Sequence, residues 1–417
     1  MNTVHYSMTV RPHEWEIAPG RSVAAWTYEG SVPGPTIEAE VGDELVVEVT
    51  NELPEPTTIH WHGIRLPAPM DGTDLTQRPI QPGETFEYRF TVPDAGTFWY
   101  HPHWNESVQM ERGLYGALVV RGADEPMVDG ERVLVLDDMH LDRNGNFKPF
   151  GGMIQRHNGR QGAFRLVNGK QEPELTMSAG QVERWRIVNA ASARFVRLSI
   201  GGRTFRLIGT DGGLVERPIE RSEILITPGE RVDLLVGPFS EGETVPIEAL
   251  PYNRGIKQKR AERFATLEVG AAVASVARVP ERLREIPALV SRDTQANRAV
   301  RLGGKMNLRR GVDFMIDGEV HKHEHRPVVV GEVQVWDVVN ETPIDHPFHL
   351  HGFFFQILEE DGQEPEVRAW KDTVNVKAKS TVRIAWLPDD RPGSWMYHCH
   401  ILEHAEAGMM AHFEVVS

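Results

Sequence analysis

Gly42-Asp43-Glu44-Leu45-Val46-Val47-Glu48-Val49-Thr50-Asn51 runs from a turn glycine through an alternating strand to a polar stop. The same frame returns as Gly180-Gln181-Val182-Glu183-Arg184-Trp185-Arg186-Ile187-Val188-Asn189 and as Gly331-Glu332-Val333-Gln334-Val335-Trp336-Asp337-Val338-Val339-Asn340. Alternation with period two places one face of each segment in a core, and one element at three places marks three units of one kind. A second shared element, Pro82-Gly83-Glu84 and Pro228-Gly229-Glu230, leads into a further strand in the first two units. Short runs such as Thr85-Phe86-Glu87-Tyr88-Arg89-Phe90 recur between Gly/Pro turns, and few helical periods intervene. The expectation is an all-β protein of three sandwich or barrel domains. The joins fall within Gly122–Gly130 and Ala271–Asn297, which divides the chain into 1–122, 123–280 and 281–417.

A chain of 417 residues is too long for one ordinary core, in keeping with this division. Its net charge of -15 excludes nucleic acid as a partner, because phosphate binding needs a basic face. The longest apolar runs, such as Gly352-Phe353-Phe354-Phe355, are far too short for a membrane span. One cysteine excludes an intrachain disulfide. The stretch Met1-Asn2-Thr3-Val4-His5-Tyr6 has no positive segment followed by an apolar one. A periplasmic or secreted location therefore presupposes a removed leader, and a cytoplasmic one stays open.

The first and third units share what the middle one lacks. Gly96-Thr97-Phe98-Trp99-Tyr100-His101-Pro102-His103 matches Gly393-Ser394-Trp395-Met396-Tyr397-His398-Cys399-His400, with Pro102 where Cys399 stands. Each of the two units also carries an earlier pair, His60-Trp61-His62-Gly63 and His349-Leu350-His351-Gly352. The middle unit reads as a spacer that packs the third against the first. On a strand, residues two apart share a face, so each His-x-His aims two imidazoles together. Random placement of 18 histidines gives roughly one such pair. Six occur, and four of them sit at equivalent places in two units. One pair alone is an ordinary half-exposed strand pattern; four symmetric pairs argue a polynuclear metal site between the first and third units. Cys399, the only cysteine, points to the other face of its strand. With His404, His346 and a long axial Met409 it makes the ligand set of a blue-copper site. Its neighbours His398 and His400 belong to the cluster, so one peptide on each side joins the two centres.

The motifs His60-Trp61-His62-Gly63, His101-Pro102-His103-Trp104, His346-Pro347-Phe348-His349-Leu350-His351-Gly352 and His398-Cys399-His400-x3-His404-x4-Met409 stand in the order found in multicopper oxidases. The whole chain resembles the three-domain laccases of that family. The resemblance implies three cupredoxin-like Greek-key domains in tandem and four copper ions, one type 1, one type 2 and two type 3. His346, Cys399, His404 and Met409 correspond to the type 1 ligands, and His60 and His349 to type 2. His62, His101 and His400 correspond to one type 3 copper, and His103, His351 and His398 to the other. The implied reaction is one-electron oxidation of phenols or aromatic amines at the type 1 copper, with electrons passing through Cys399 to His398 and His400 and O2 reduced to water at the cluster. The donor is expected at the edge of His346 or His404, at whichever faces solvent. A monomer suffices, because one chain holds both halves of the cluster.

Several finer expectations follow from the resemblance. Asp71, nine residues after His62, corresponds to an acid that relays protons to the cluster; the plainer reading is an Asp-Gly turn residue. Relatives carry an acid directly after the last type 1 histidine, but here Ala405 stands there, so a second relay at that position is in doubt and Glu406 reads as a solvated charge. Methionine at the axial position implies a low to middle potential. The tract His321-Lys322-His323-Glu324-His325 reads as an exposed polar turn, with an accessory copper as the alternative. Oxidation of Cu(I) or another metal ion is the second functional reading; the 13 methionines form no run, which favours phenols. A non-catalytic scaffold is the third, and retention of all twelve ligands argues against it.

Overall fold

The computed structural model describes residues 2–307, 309, 311–324 and 326–417. Strand makes up 51% and helix 5%, so the all-β expectation holds. The sheets fall into three pairs in chain order. The first pair has four strands in each sheet, the middle pair seven and five, and the third pair five and six.

The three copies of the opening element occupy one place in their sheets. Glu44–Asn51 pairs in parallel with Thr3–Ala18 and antiparallel with Thr85–Thr91. Glu183–Asn189 pairs likewise with Gly130–Met139 and Arg231–Val236, and Gln334–Asn340 with Arg298–Asn307 and Thr381–Trp386. The terminal asparagines are more than polar stops, because all three are buried. Each amide Nδ2 donates to two backbone carbonyls: Glu55 and Ile80 for Asn51, Arg194 and Ile226 for Asn189, Ile344 and Val376 for Asn340. Each Oδ1 accepts a backbone N–H two residues on. A buried amide with its bonds satisfied fixes the loop that leads to the next strand.

The middle copy departs from simple alternation. Every residue of Glu183–Asn189 is buried, the polar face included. Arg184 and Arg186 reach Asp233, and Arg186 Nη1 also donates to Thr97 Oγ1 of the first unit (3.1 Å). The polar face is thus an interface, and its guanidiniums are paired rather than solvated.

Strand pairing then sets the histidines. His60–His62 runs antiparallel to Gly96–His101, with His60 opposite His101. His346–Leu350 runs antiparallel to Gly393–Cys399, with His349 opposite His398. One continuous apolar cluster joins the first unit, through Ile59, Trp61 and Phe98, to the third, through Phe348, Trp395 and Tyr397. The middle unit has a core of its own around Trp185 and Leu234. Among the described residues no helix is long and apolar enough to cross a membrane.

Candidate metal centre

The eight histidines of the four symmetric pairs converge between the first and third units, and all are buried. Their ring nitrogens fall into three groups, each within 4.8 Å: His60, His62 and His349; His62, His101 and His400; His103, His351 and His398. His62 Nδ1 stands 3.4 Å from His101 Nε2, and His351 Nε2 stands 3.0 Å from His398 Nε2.

The outer nitrogens decide which way the rings face. The Nδ1–H of His60 donates to the Asp71 carbonyl (2.8 Å), that of His349 to the Asp372 carbonyl (3.0 Å), that of His101 to the Pro102 carbonyl (3.0 Å) and that of His398 to the Cys399 carbonyl (2.9 Å). His351 Nδ1–H donates to Asp71 Oδ2 (2.9 Å). Each bond turns Nε2 inward. His62 is reversed: its Nε2–H donates to Asp372 Oδ1 (3.1 Å), which leaves Nδ1 for the centre. Such outer bonds fix tautomer and orientation.

Burial sets the charge. It drives His62, His101, His351, His398 and His400 well below the ordinary imidazole range, and neighbouring imidazoles add to the effect for all five. His103 is brought down to about 4 by burial. His60 is the exception. Burial opposes its charged form, but the Asp71 carboxylate outweighs burial and raises it.

The thiolate site lies behind the same strand. Cys399 Sγ is 3.4 Å from His346 Nδ1 and 3.7 Å from His404 Nδ1, and the two nitrogens are 3.2 Å apart. Met409 is buried beside them, and its carbonyl accepts from the Cys399 N–H (3.0 Å). Burial pushes the Cys399 thiol up to about 12 and His346 down to about 3.

Comparison with known proteins agrees with this geometry. Family models described as multicopper oxidase match residues 9–125, 133–244 and 292–417. The multicopper oxidase MmcO of Mycobacterium tuberculosis is 34% identical over 99% of this chain and 87% of that protein. The chain belongs to the multicopper oxidases. A multicopper oxidase structure from Campylobacter jejuni, described as a metallo-oxidase, superposes with a TM-score of 0.87 at 32% identity, covering 99% of this chain and 91% of that one. The laccase of Bacillus subtilis is 26% identical over 94% of this chain and 90% of that protein. This multicopper oxidase is accordingly a laccase-like oxidoreductase of three cupredoxin-like domains.

Membership implies copper, and the donors in this oxidase fit it. His60 Nε2, His103 Nε2, His349 Nε2 and both nitrogens of His400 are buried without a hydrogen-bond partner. Buried imidazole nitrogens that face one another without hydrogen-bond partners are the donor set a metal ion takes. A buried thiol between two Nδ1 atoms is the corresponding donor set for a blue-copper ion.

Two sequence expectations need correction. Neither His346 nor His404 faces solvent; both are 0% exposed. Their outer nitrogens are covered, His346 Nε2 by Thr342 Oγ1 (2.8 Å) and His404 Nε2 by the His157 carbonyl (3.0 Å). Glu406 is exposed, as expected of a surface charge, and its carboxylate also accepts from Ser107 N–H (2.9 Å) and Ser107 Oγ–H (2.7 Å) of the first unit. The tract at 321 is more than a polar turn: Lys322–His323 pairs with Met410–Val416, and the His323 ring lies 4.6 Å from that of His412. No group of three candidate ligands forms there among the described residues, and His325 lies outside them.

The structure also adds residues that sequence reading missed. Asp372 sits between His62 and His349 and is held by Arg231 through both nitrogens, at 2.7 and 2.5 Å. Burial would raise the Asp372 carboxyl, but Arg231 and His62 overcome it and hold it well below the usual carboxylate range. Arg231 comes from the middle unit and is fixed by the carbonyls of Thr97, Gly229 and Asp211. A Cβ on Gly63, directly after His62, would lie 2.3 Å from Arg231 Nη2, and one on Gly229 would lie 2.8 Å from His400. Both glycines are required by close approach as well as by positive φ. Glu106, buried, places Oε1 3.1 Å from His101 Nδ1. The one available signal for Arg231 was the Pro-Gly-Glu element, after which Thr85 follows in the first unit and Arg231 in the second.

Proposed function

We propose that this laccase-like oxidase holds four copper ions, removes single electrons from phenols or aromatic amines and reduces O2 to water. In this reading His346, Cys399, His404 and Met409 hold type 1 copper, and His60 and His349 hold type 2. His62, His101 and His400 hold one type 3 ion, and His103, His351 and His398 the other. The observation that carries it is that Cys399, in the thiolate group, is bonded through one peptide on either side to His398 and His400, in two different groups of the cluster. Copper, when bound, supplies one-electron uptake from the donor at the thiolate and four-electron reduction of O2 at the histidines.

The chain's own residues do the rest. Burial of all eleven histidine and cysteine ligands excludes water and keeps radical donors apart from the O2 site. Asp372, clamped by Arg231, aims His62 and backs His349. Asp71 accepts the Nδ1 proton of His351 and lies 3.4 Å from His60 Nδ1, a position from which a carboxylate hands protons to the cluster. Four phenols each lose one electron and one proton, and one O2 takes up four of each to give two waters. One chain is a sufficient unit, divided at 122/123 and 280/281, and export of the protein suits copper loading outside a reducing cytoplasm.

O2 consumption by copper-loaded protein over a panel of phenols, aromatic amines and Cu(I), with metal analysis of the same sample, tests this reading. About four copper per chain and phenol-dependent O2 uptake are expected. A stoichiometry of zero or two overturns the assignment, and a large kcat/KM advantage for Cu(I) replaces phenols by the metallo-oxidase reading.

A further inference from the structure

Beside the thiolate site the middle unit closes over the third with the segment 251–262. The Tyr252 hydroxyl donates to Asp345 Oδ2 (2.6 Å), and the Asp345 N–H donates to the Arg254 carbonyl (2.8 Å), which pins the segment to the residue before His346. On its other side the Arg254 guanidinium donates to the carbonyl of Asn158. Asn158 adjoins His157, whose carbonyl covers His404. The segment thus holds the residue before His346 and the residue after His157, next to both thiolate-site histidines, and it walls a cavity of about 340 Å³.

The wall of this cavity is charged in one sense. Arg254 is 2% exposed, makes no ion pair among the described residues, and its Nη1 meets no acceptor. Lys257, Lys259 and Arg260 are exposed and likewise unpaired among the described residues. Arg194 and Glu262, also at the wall, pair with each other and cancel. Four cations within seven residues therefore face this opening in a chain of net charge -15. The aromatic part of the wall is Phe195 stacked on Tyr252, with centroids 5.9 Å apart at 12°, and Arg254 lies over Phe195 at 5.3 Å.

We propose that this cavity is where electron donors dock and that it selects aromatic anions, phenols bearing a carboxylate or sulfonate, over neutral and cationic donors. The proposal rests on the oxidase reading above. A cavity of this size holds a single substituted ring. The half-buried Tyr252 ring, backed by Phe195, takes the donor ring, and unpaired cations raise the local concentration of an anion and repel a metal cation. The bound phenol loses one electron and its hydroxyl proton to become a phenoxyl radical. The established oxidase activity supplies the oxidant, O2, at one molecule per four donors.

The test compares 4-hydroxy-3,5-dimethoxybenzoate, its methyl ester and a trimethylammonium-bearing phenol as donors for copper-loaded enzyme. A second arm titrates the enzyme with redox-inert 3,5-dimethoxybenzoate by calorimetry. The carboxylate is expected to have the highest kcat/KM, with an advantage that shrinks as salt is added. In the variant Lys257→Ser/Lys259→Ser/Arg260→Ser its kcat/KM is expected to fall about tenfold while that of the ester holds. Binding of dimethoxybenzoate is expected to weaken in parallel, and again in Arg254→Gln. Equal kcat/KM for the three donors, or undiminished dimethoxybenzoate binding in the triple variant, overturns the proposal. If no donor supports O2 uptake, the oxidase reading falls, and the calorimetric titration still decides the cavity.

Discussion

Asp71 Oδ2 lies 2.9 Å from Nδ1 of His351, a residue 280 positions away in the third unit. The same carboxylate stands 3.4 Å from His60 Nδ1, and the Asp71 carbonyl takes the His60 proton at 2.8 Å. One buried residue of the first unit therefore orients a ring from each half of the cluster. Its backbone ends the short helical turn Ala68–Met70, in keeping with the turn reading, and its side chain faces the histidines, the position the proposed relay requires.

Asp71→Asn keeps the shape but removes the charge and one acceptor. Turnover with a phenol is expected to fall about a hundredfold or more, the range for loss of a positioned acid or base. The blue absorbance should persist, because His346, Cys399 and His404 do not touch Asp71. Parallel measurement of O2 uptake and visible absorbance checks both, and unchanged turnover removes Asp71 from proton delivery.

Arg231 and Asp372 form a buried pair, at 0% and 1% exposure. Arg231→Met leaves an uncompensated carboxylate against two histidines and is expected to cost about 3–5 kcal/mol of apoprotein stability. Copper content should fall with it, since Asp372 no longer holds His62. Adding Asp372→Asn to the variant should restore part of the stability, because the carboxylate left without its bidentate guanidinium is then neutral. Denaturant unfolding of the apoproteins, alongside copper analysis, reads both effects. Equal midpoints for Arg231→Met and the parent would show that the pair stabilises nothing.

That pair also shows where reading the sequence stopped. The repeated strand and the His-x-His pairs are local patterns, and local patterns survive in one dimension: period two gives a shared face, and three copies give three units. Hence the sheets and the two histidine-bearing units were visible before folding, while the division of the histidines into groups came only with the resemblance. Arg231 and Asp372 are 141 positions apart, and neither sits in a spacing that chemistry requires. A charged side chain in a polar strand face reads as surface, and only the packing of the middle unit on the other two turns Arg184, Arg186 and Arg231 into buried partners. The covers over His346 and His404 were hidden for the same reason. Thr342 is near in sequence, but His157 reaches His404 from 247 positions away.

Cys399→Ser separates the two centres. The serine hydroxyl is a poor ligand for a soft site, so blue absorbance and donor oxidation should both be lost. The eight cluster histidines keep their partners, so copper should fall by about one per chain rather than by all. Metal analysis with electron paramagnetic resonance distinguishes these outcomes; loss of every copper would mean that the cluster depends on the thiolate site for its assembly.

Copper loading should depend on pH differently at the two centres. With its thiol pushed up to about 12 by burial, Cys399 is protonated in the apoprotein at neutral pH. His346, brought down to about 3, is already neutral there and offers no competing proton. Binding at this site therefore releases one proton, and apparent affinity should rise about tenfold per pH unit between about pH 5 and 8. At the cluster, burial keeps most imidazoles neutral over the same range, so their loading should be nearly flat. His60 is the exception, because the Asp71 carboxylate favours its protonated form, whose proton copper must displace. Titrating apoprotein with copper in a series of buffers, following blue absorbance for the thiolate site and total bound metal for the rest, measures the two slopes. A blue titration that does not move with pH would mean that Cys399 is ionised before copper arrives, against the direction its burial sets.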